Sequence, residues 1–364
     1  MPAARLGPDG AAPSTPPFVR ARVIHSRLGP LPGAGRTAHA VTMSAPRRVQ
    51  PDVDLPYAAR DVLSAAELAR HGIDSHQVRR LVRCGRLHRL CTGWYATRCP
   101  EDAVDRHVLL ARAVLRQLDG RAALSHHSLV VLAGLPVWRA DLSAVHVTRV
   151  ADQVTRRRPH VVSHSAVPGL VPTTPAPQPG PPAVGPLVPL AVAVVQTGLV
   201  AGSMDAAICA DAALRCGLVT AGSLREAAAL LSGHRGIRAT VAALERCDGR
   251  HESPGETRLA HLLADLGLSV TPQLEVATRL GTRRADFRID GTRVLIEFDG
   301  KVKYTDPRHG GDVLWQEKRR QDALEDEGWT VVRVTWSDLD RPEVVWNRIR
   351  AAISRSRPSD PAAR

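Results

Sequence analysis

An apolar strand that ends in two acidic residues is the feature that most constrains how this chain can fold. In the segment Arg293-Val-Leu-Ile-Glu-Phe-Asp299, strand alternation puts Glu297 and Asp299 on one face, directly after an apolar run. Carboxylates next to a hydrophobic core are costly to bury unless a cation or hydrogen-bond donors compensate their charge. The segment therefore predicts a sheet in which a polar site adjoins the core.

The C-terminal region around this strand alternates helix and strand signals. Ser253-Pro254-Gly255-Glu256 has the pattern of a full capping box, and it predicts a helix that stops at Gly267. Strands are predicted over 269–276, 283–290 and 292–299, followed by a helix over 313–327, a strand from Trp329 and a helix over 341–354. This order predicts an α/β domain over residues 250–354 of an α+β multidomain chain.

A further acid, Asp286, lies on the strand that precedes Glu297 in the sequence. If the two strands are hairpin partners, the two carboxylates stand side by side and repel each other unless a cation lies between them. Glu256 has two interpretations. It caps its helix, or its spacing from Leu259 and Leu263 puts it on the inward face, where it helps to orient the same site.

The chemistry that suits these residues is metal-assisted hydrolysis of a phosphodiester. Asp286, Glu297 and Asp299 are the predicted ligands of Mg²⁺ or Mn²⁺, because hard oxygen donors suit these ions. Only three of the 49 basic residues are lysines, and all of them lie within residues 301–318. Lys303 is predicted to be the amine beside the attacking water, with Lys301 as its competitor.

Four motifs carry a family resemblance over residues 252–352. They are Glu252-Ser-Pro-Gly-Glu256, Ala285-Asp286-Phe287, Ile296-Glu297-Phe298-Asp299-Gly300 and Gly328-Trp-Thr-Val-Val-Arg333-Val. Together they resemble an endonuclease-like family related to the very-short-patch-repair (Vsr) endonucleases of the PD-(D/E)xK superfamily. The resemblance implies a restriction-endonuclease-like fold with a divalent metal at the strand carboxylates. Asp286 matches the first motif acid and Glu297 the second, but Asp299 stands where the superfamily pattern has lysine.

Residues 57–98 form a short, strongly basic module. Ser64 and Glu67 predict a capped helix, Asp74 or Ser75 begins a second helix that ends at Gly85, and two strand-like segments follow. This order is that of a winged helix-turn-helix domain, which would hold double-stranded DNA, although short basic helical pairs also serve as protein-interaction modules. The candidate DNA contacts are Gln77, Arg79, Arg80, Arg83, Arg86 and Arg89.

The same module carries a second resemblance. Leu63 through Gly72, Leu81-Val-Arg-Cys-Gly-Arg-Leu87 and Leu90 through Tyr95 resemble the N-terminal domain of the AbiEi-type antitoxins of type IV toxin-antitoxin systems. That resemblance implies a DNA-binding autoregulator or a recruited DNA-binding arm. It also implies a cognate toxin protein as a partner.

The other regions are predicted from composition. Residues 1–56 are predicted to be a disordered extension, with Met43 as an alternative start, and residues 355–364 a disordered tail. Residues 99–249 are predicted to be mostly helical, interrupted by a Pro-rich insert over 166–190. The apolar stretch 187–202 is predicted to be a buried helix instead of a membrane span, and no signal-peptide core is found. A cytoplasmic protein with reduced cysteines and no membrane partner is expected.

Charge divides the chain into two parts. The net charge is +13, and residues 250–364 contain 20 basic and 19 acidic residues, so nearly all of the excess lies in residues 1–249. A basic N-terminal part predicts a polyanionic partner such as double-stranded DNA. Two hypotheses follow: a DNA-binding, magnesium-dependent endonuclease, or a non-catalytic DNA-binding regulator of the antitoxin type.

Overall fold

The computed structural model describes residues 61–151, 154–174, 185–300, 319 and 322–356. In these residues the chain is a mixed α+β protein with three sheets. Several predictions concern residues outside these ranges: the extension over 1–56, Lys301 and Lys303, and residues 357–364 of the tail. In the described parts, no helix has both the length and the apolar character needed to cross a membrane.

The first sheet belongs to the basic module and has the strand order β1-β3-β2, with antiparallel neighbours. Its elements are β1 (Val62–Ser64), α1 (Ala65–Arg70), α2 (Ser75–Arg83), β2 (His88–Cys91) and β3 (Trp94–Ala96). Both helices begin with reciprocal side-chain caps. The cap of Ser64 with Glu67 is the predicted one, and of the two candidates for α2 it is Asp74 that forms the cap, with Gln77 as a partner that was not predicted. The sequence analysis missed β1, because a strand of three residues is too short to show a period.

The middle region contains six helices among its described residues, but it also contains a four-stranded sheet. Its first elements are α3 (Ala103–Leu118), β4 (Ala122–Leu124), α4 (His126–Leu132), β5 (Val145–Arg149), β6 (Arg156–Arg158) and β7 (Val161–His164). The strand order is β4-β5-β7-β6, and β5 and β7 are parallel. The prediction of a mostly helical region is therefore incomplete, because strands of three to five residues leave no clear alternation.

Four helices complete the middle region: α5 (Leu190–Ala201), α6 (Ser203–Arg215), α7 (Ala221–Leu230) and α8 (Ile237–Leu244). Helix α5 confirms the predicted buried helix, since it is apolar around most of its circumference and packs in the largest hydrophobic core. Gly198 on α5 permits this packing: a Cβ atom there would lie 2.6 Å from the side chain of Thr240 on α8.

The C-terminal region contains the third sheet, with the strand order β11-β10-β9-β8. Its elements are α9 (Pro254–Asp265), β8 (Val270–Thr278), β9 (Gly281–Ile289), β10 (Val294–Asp299), β11 (Thr330–Thr335) and α10 (Pro342–Arg355). Strand β9 is antiparallel to both of its neighbours, β8 and β10, and β11 pairs with β10 in parallel. Residues 322–326 are helical, which agrees with the end of the predicted helix over 313–327.

Helix α9 is anchored to the middle region at its beginning. The Asp211 carboxylate on α6 accepts hydrogen bonds from the Thr257 hydroxyl at 2.8 Å and the Asp248 backbone N–H at 2.8 Å, and it lies 2.7 Å from Nδ1 of His251. Two tryptophans, Trp138 and Trp336, stack across the same boundary with ring centroids 4.7 Å apart. These contacts fix the helix whose first turn carries Glu256.

Candidate functional site

The end of the β9–β10 pairing brings Asp286 close to the last residues of β10. The paired positions are Leu295 with Arg288 and Ile296 with Phe287. Beyond them the side chain of Asp286, and not its backbone, bonds to β10, at the Phe298 N–H. Glu297 lies near enough for its charge to raise the pKa of Asp286, so the two acids are neighbours at the point where the two strands stop pairing.

Asp286 occupies an electrostatically unfavourable position. The pKa of Asp286 is raised to about 6, mainly by burial and also by the negative charges of Glu256, Glu297 and Glu252, against one lowering contribution from a backbone hydrogen bond. That bond is donated by the Phe298 N–H to Oδ2 of Asp286 at 2.6 Å. A cation would relieve the repulsion that these carboxylates exert on one another.

Glu256 does more than cap its helix. Its carboxylate is buried and accepts hydrogen bonds from the Glu252 backbone N–H at 2.9 Å, the Ser253 hydroxyl at 2.8 Å and the Gln273 side-chain amide at 2.8 Å. The predicted full capping box differs in detail, because the backbone donor belongs to Glu252 and not to the N-cap residue Ser253. The first interpretation of Glu256 is confirmed, since Glu256 bonds to the residues that begin the helix; it also lies close enough to raise the pKa of Asp286.

Gln273 is a site residue that the sequence analysis missed. It lies on β8 between Pro272 and Leu274, whose partners on β9 are Phe287 and Ala285, so it faces the position of Asp286. Its backbone adopts a φ of 55°, a left-handed conformation that is unusual for glutamine. The strain is compensated in part by the bond from its amide to Glu256. A lone polar residue in a strand pattern gives no sequence signal for this conformation.

Glu297 and Asp299 have different surroundings, although strand alternation gives them the same parity. Glu297 is half-buried, and its carboxylate lies 3.6 Å from Nε of Arg333, which is its register partner on β11. Asp299 is exposed at the end of β10. The sequence analysis included Arg333 in a motif but assigned it no contact with Glu297. Lys303 and Lys301, the candidate amines, lie outside the described residues.

The donor types at this site suit a hard divalent cation, but among the described residues no three of these carboxylates bring an oxygen within 4.8 Å of one another. The cluster consists of the carboxylates of Asp286, Glu297 and Glu256, with Asp299 at its exposed end, and we refer to it as the acidic cluster. Oxygen donors that carry negative charge, partly buried and partly open to solvent, suit Mg²⁺ or Mn²⁺ better than softer ions. Asp286 and Glu297 are the residues that would hold the ion, since Glu256 already accepts three hydrogen bonds.

The basic module exposes three of its six candidate DNA contacts to solvent. Arg79 and Arg83 on α2 and Arg89 on β2 are exposed, whereas Arg80 and Arg86 are partly buried. Gln77 contributes its side-chain oxygen to the cap of α2, where it accepts the Asp74 N–H at 2.8 Å. The face of α2 that bears the exposed arginines is opposite the one that buries Val78 and Leu81 in a small core.

Comparison with other proteins adds no assignment to this geometry. No protein-family model matches the chain, and no curated protein matches it. The candidate sites are therefore described by their own residues: an acidic cluster at the β9–β10 pair and a basic surface on α2 and β2.

Proposed function

We propose that this protein binds double-stranded DNA through its basic module and hydrolyses DNA phosphodiester bonds at the acidic cluster, in a magnesium-dependent manner. The observation that carries the proposal is the proximity of Asp286 to Glu297 and to the buried Glu256, whose charges raise the pKa of Asp286. The element order of the C-terminal region supports a restriction-endonuclease-like fold: helix α9, three antiparallel strands, a helical segment and a strand parallel to β10. The order of β1, α1, α2, β2 and β3 likewise supports a winged helix-turn-helix.

The residues divide the work as follows. Asp286 and Glu297 hold the divalent cation, which supplies Lewis-acid activation of the scissile phosphate when it is bound. Glu256 keeps α9 and Gln273 in position through its three hydrogen bonds, and the negative field of Glu256 increases the attraction of the site for a cation. Lys303 remains the predicted source of the catalytic ammonium, with Lys301 as its competitor, and both lie outside the described residues.

A second candidate function is a non-catalytic DNA-binding regulator of the antitoxin type. Two observations favour it. Asp299 stands where the superfamily pattern has lysine, and Arg333 lies 3.6 Å from Glu297, where a guanidinium partly neutralises the charge that would hold a metal. On this alternative the acidic cluster contributes to stability and to partner binding, and the partner includes a cognate toxin protein.

Cleavage of supercoiled plasmid DNA, with and without Mg²⁺ or Mn²⁺, tests the proposal. We expect metal-dependent nicking or cleavage by the wild type, and loss of at least about 100-fold in rate for Asp286→Asn and for Glu297→Gln. The matched control is Glu275→Gln, because Glu275 is an exposed acid on β8 outside the acidic cluster. Equal cleavage by wild type and Asp286→Asn would exclude the acidic cluster as the source of the activity, and no cleavage by a folded wild type that binds DNA would favour the regulator.

A further inference from the structure

A separate cluster of imidazoles lies in the middle region, on one side of the four-stranded sheet. His126 begins α4, His146 lies on β5 and His164 ends β7. One ring nitrogen from each of the three lies within 4.8 Å of the other two. Their residues are about twenty positions apart in the chain, so the fold and not local sequence brings them together. We call this set the histidine cluster.

The register of the sheet explains the position of two members. Strands β5 and β7 are parallel, with His146 paired to Val162 and Thr148 paired to His164, so both histidines project from the same face. Nε2 of His164 lies 2.9 Å from Nδ1 of His146. Helices α4 and α5 cover this face, where Gln196 of α5 donates to the Thr148 hydroxyl at 3.2 Å.

His126 is held over the other two rings by an unusual backbone. Its φ is 54°, a left-handed conformation that a histidine adopts only where its surroundings enforce it. Its ring stacks on that of His164 with centroids 3.8 Å apart, and its Nδ1 lies 2.8 Å from the Ser125 hydroxyl. A hydroxyl at one ring nitrogen fixes the ring and leaves the other nitrogen available, which is how supporting residues orient metal-binding histidines.

A fourth imidazole adjoins the cluster. The ring centroid of His127 lies 4.4 Å from that of His146, and the buried Nδ1 of His127 has no hydrogen-bond partner among the described residues. Four imidazole rings therefore lie side by side in this part of the fold.

We propose that His126, His146 and His164 form a zinc site, with three imidazole ligands and a position left for water or another exogenous ligand. Neutral imidazole donors suit Zn²⁺ and related transition metals and not Mg²⁺. In a tetrahedral site with ligands at about 2.0–2.1 Å, the nitrogens are roughly 3.3 Å apart; here the three lie within 4.8 Å of one another, and Nε2 of His164 lies 2.9 Å from Nδ1 of His146. The zinc site is independent of the acidic cluster, which uses oxygen donors on a different sheet.

Metal analysis of the purified full-length protein tests this site. After saturation with ZnCl₂ and dialysis against buffer, we expect one zinc per chain. X-ray absorption at the zinc edge should give nitrogen ligands at about 2.0–2.1 Å with imidazole scattering, whereas a cysteine site would give sulfur at about 2.3 Å. Less than a tenth of an equivalent of zinc, or a sulfur-dominated spectrum, would overturn the proposal without the need for any variant.

Substitutions then locate the metal. His164→Gln and His146→Gln should weaken zinc binding by about 100-fold or more, since each removes one of three ligands. The matched control is His160→Asn at the exposed turn between β6 and β7, where asparagine tolerates the φ of 65°, and it should keep one zinc. Glu297→Gln should also keep it. Zinc bound as tightly by a folded His164→Gln protein as by the wild type would contradict the assignment.

Discussion

The acidic cluster and the histidine cluster show how the same physical effect has opposite consequences for two kinds of ligand. Burial disfavours the charged form in both places: it raises the pKa of Asp286 and lowers the pKa of His126, His146 and His164. For a carboxylic acid the neutral form is a poor metal ligand, whereas for imidazole the neutral form is the ligand itself. Burial therefore makes a cation compete with protons for Asp286, whereas it keeps the imidazoles of the histidine cluster in the neutral form that binds metals.

The largest expected effect concerns the amine of the acidic cluster. An arginine keeps the charge but is a broad planar fork, whereas the proposed site needs a compact donor beside the attacking water. Lys303→Arg should therefore cost nearly as much nuclease activity as Lys303→Ala, about 100-fold, in a plasmid-cleavage assay. Lys301→Arg is the control and should cost less than about threefold. The reverse ranking of the two lysines would mean that Lys301 is the catalytic amine.

The basic module provides the next effect. Replacing Arg79, Arg80 and Arg83 together by Ala should weaken duplex binding and flatten its salt dependence. The reason is that the slope of log K against log salt is negative, and each lost phosphate contact reduces its magnitude by about 0.9. Fluorescence anisotropy with a labelled duplex at several salt concentrations measures the slope. The control is a triple variant in which three exposed arginines outside the basic module, Arg225, Arg238 and Arg279, are replaced by Ala. It loses the same net charge as the test variant. Unchanged affinity at low salt would exclude α2 as the DNA-contacting surface.

Stability without metal should depend on pH in opposite directions at the two clusters. Asp286 binds its proton more tightly in the folded state, so its contribution to the free energy of unfolding falls as pH rises from about 4 to about 6. The buried histidines bind protons more weakly when folded, so their contribution falls as pH drops from about 6.5 to about 4, where His127 and His164 titrate.

Urea unfolding of the metal-free wild type and of Asp286→Asn, between pH 4 and pH 7, measures these slopes. The variant should gain stability relative to the wild type as pH rises, by on the order of 1 kcal/mol after allowance for the partial exposure of the carboxyl group. A constant difference between the two proteins across this range would show that Asp286 titrates normally.

The smallest effect is expected at Gln273. Gln273→Gly relieves the backbone strain of its left-handed conformation but removes the hydrogen bond to Glu256, and the two contributions are each about 1 kcal/mol. The unfolding free energy should therefore change by less than about 1 kcal/mol, whereas Gln273→Ala, which keeps the strain, should be the less stable of the two. Equal stability of the two variants would show that the φ of Gln273 carries no strain in solution.

The sequence predicted most of what is local and little of what depends on folding. The caps of α1 and α2 and the antiparallel pairing of β9 with β10 follow from short spacings, which is why they were predictable. The contact between Glu297 and Arg333 was not, because it depends on the register of a strand distant in sequence. The left-handed φ of Gln273 was not predictable either, because nothing in the residue pattern indicates it. The histidine cluster was missed for the same reason: its members come from three elements, and each looks like an isolated polar residue.

The central claim is that the acidic cluster holds a divalent cation, and a manganese titration tests it most directly. With the histidine cluster saturated with zinc beforehand, electron paramagnetic resonance of free Mn²⁺ measures binding by the wild type and by Asp286→Asn at pH 5 and at pH 8. Because the pKa of Asp286 is about 6, we expect the wild type to bind one Mn²⁺ about tenfold more tightly at pH 8 than at pH 5. Asp286→Asn should bind weakly at both. Equal Mn²⁺ affinity of the two proteins at pH 8 would contradict the account.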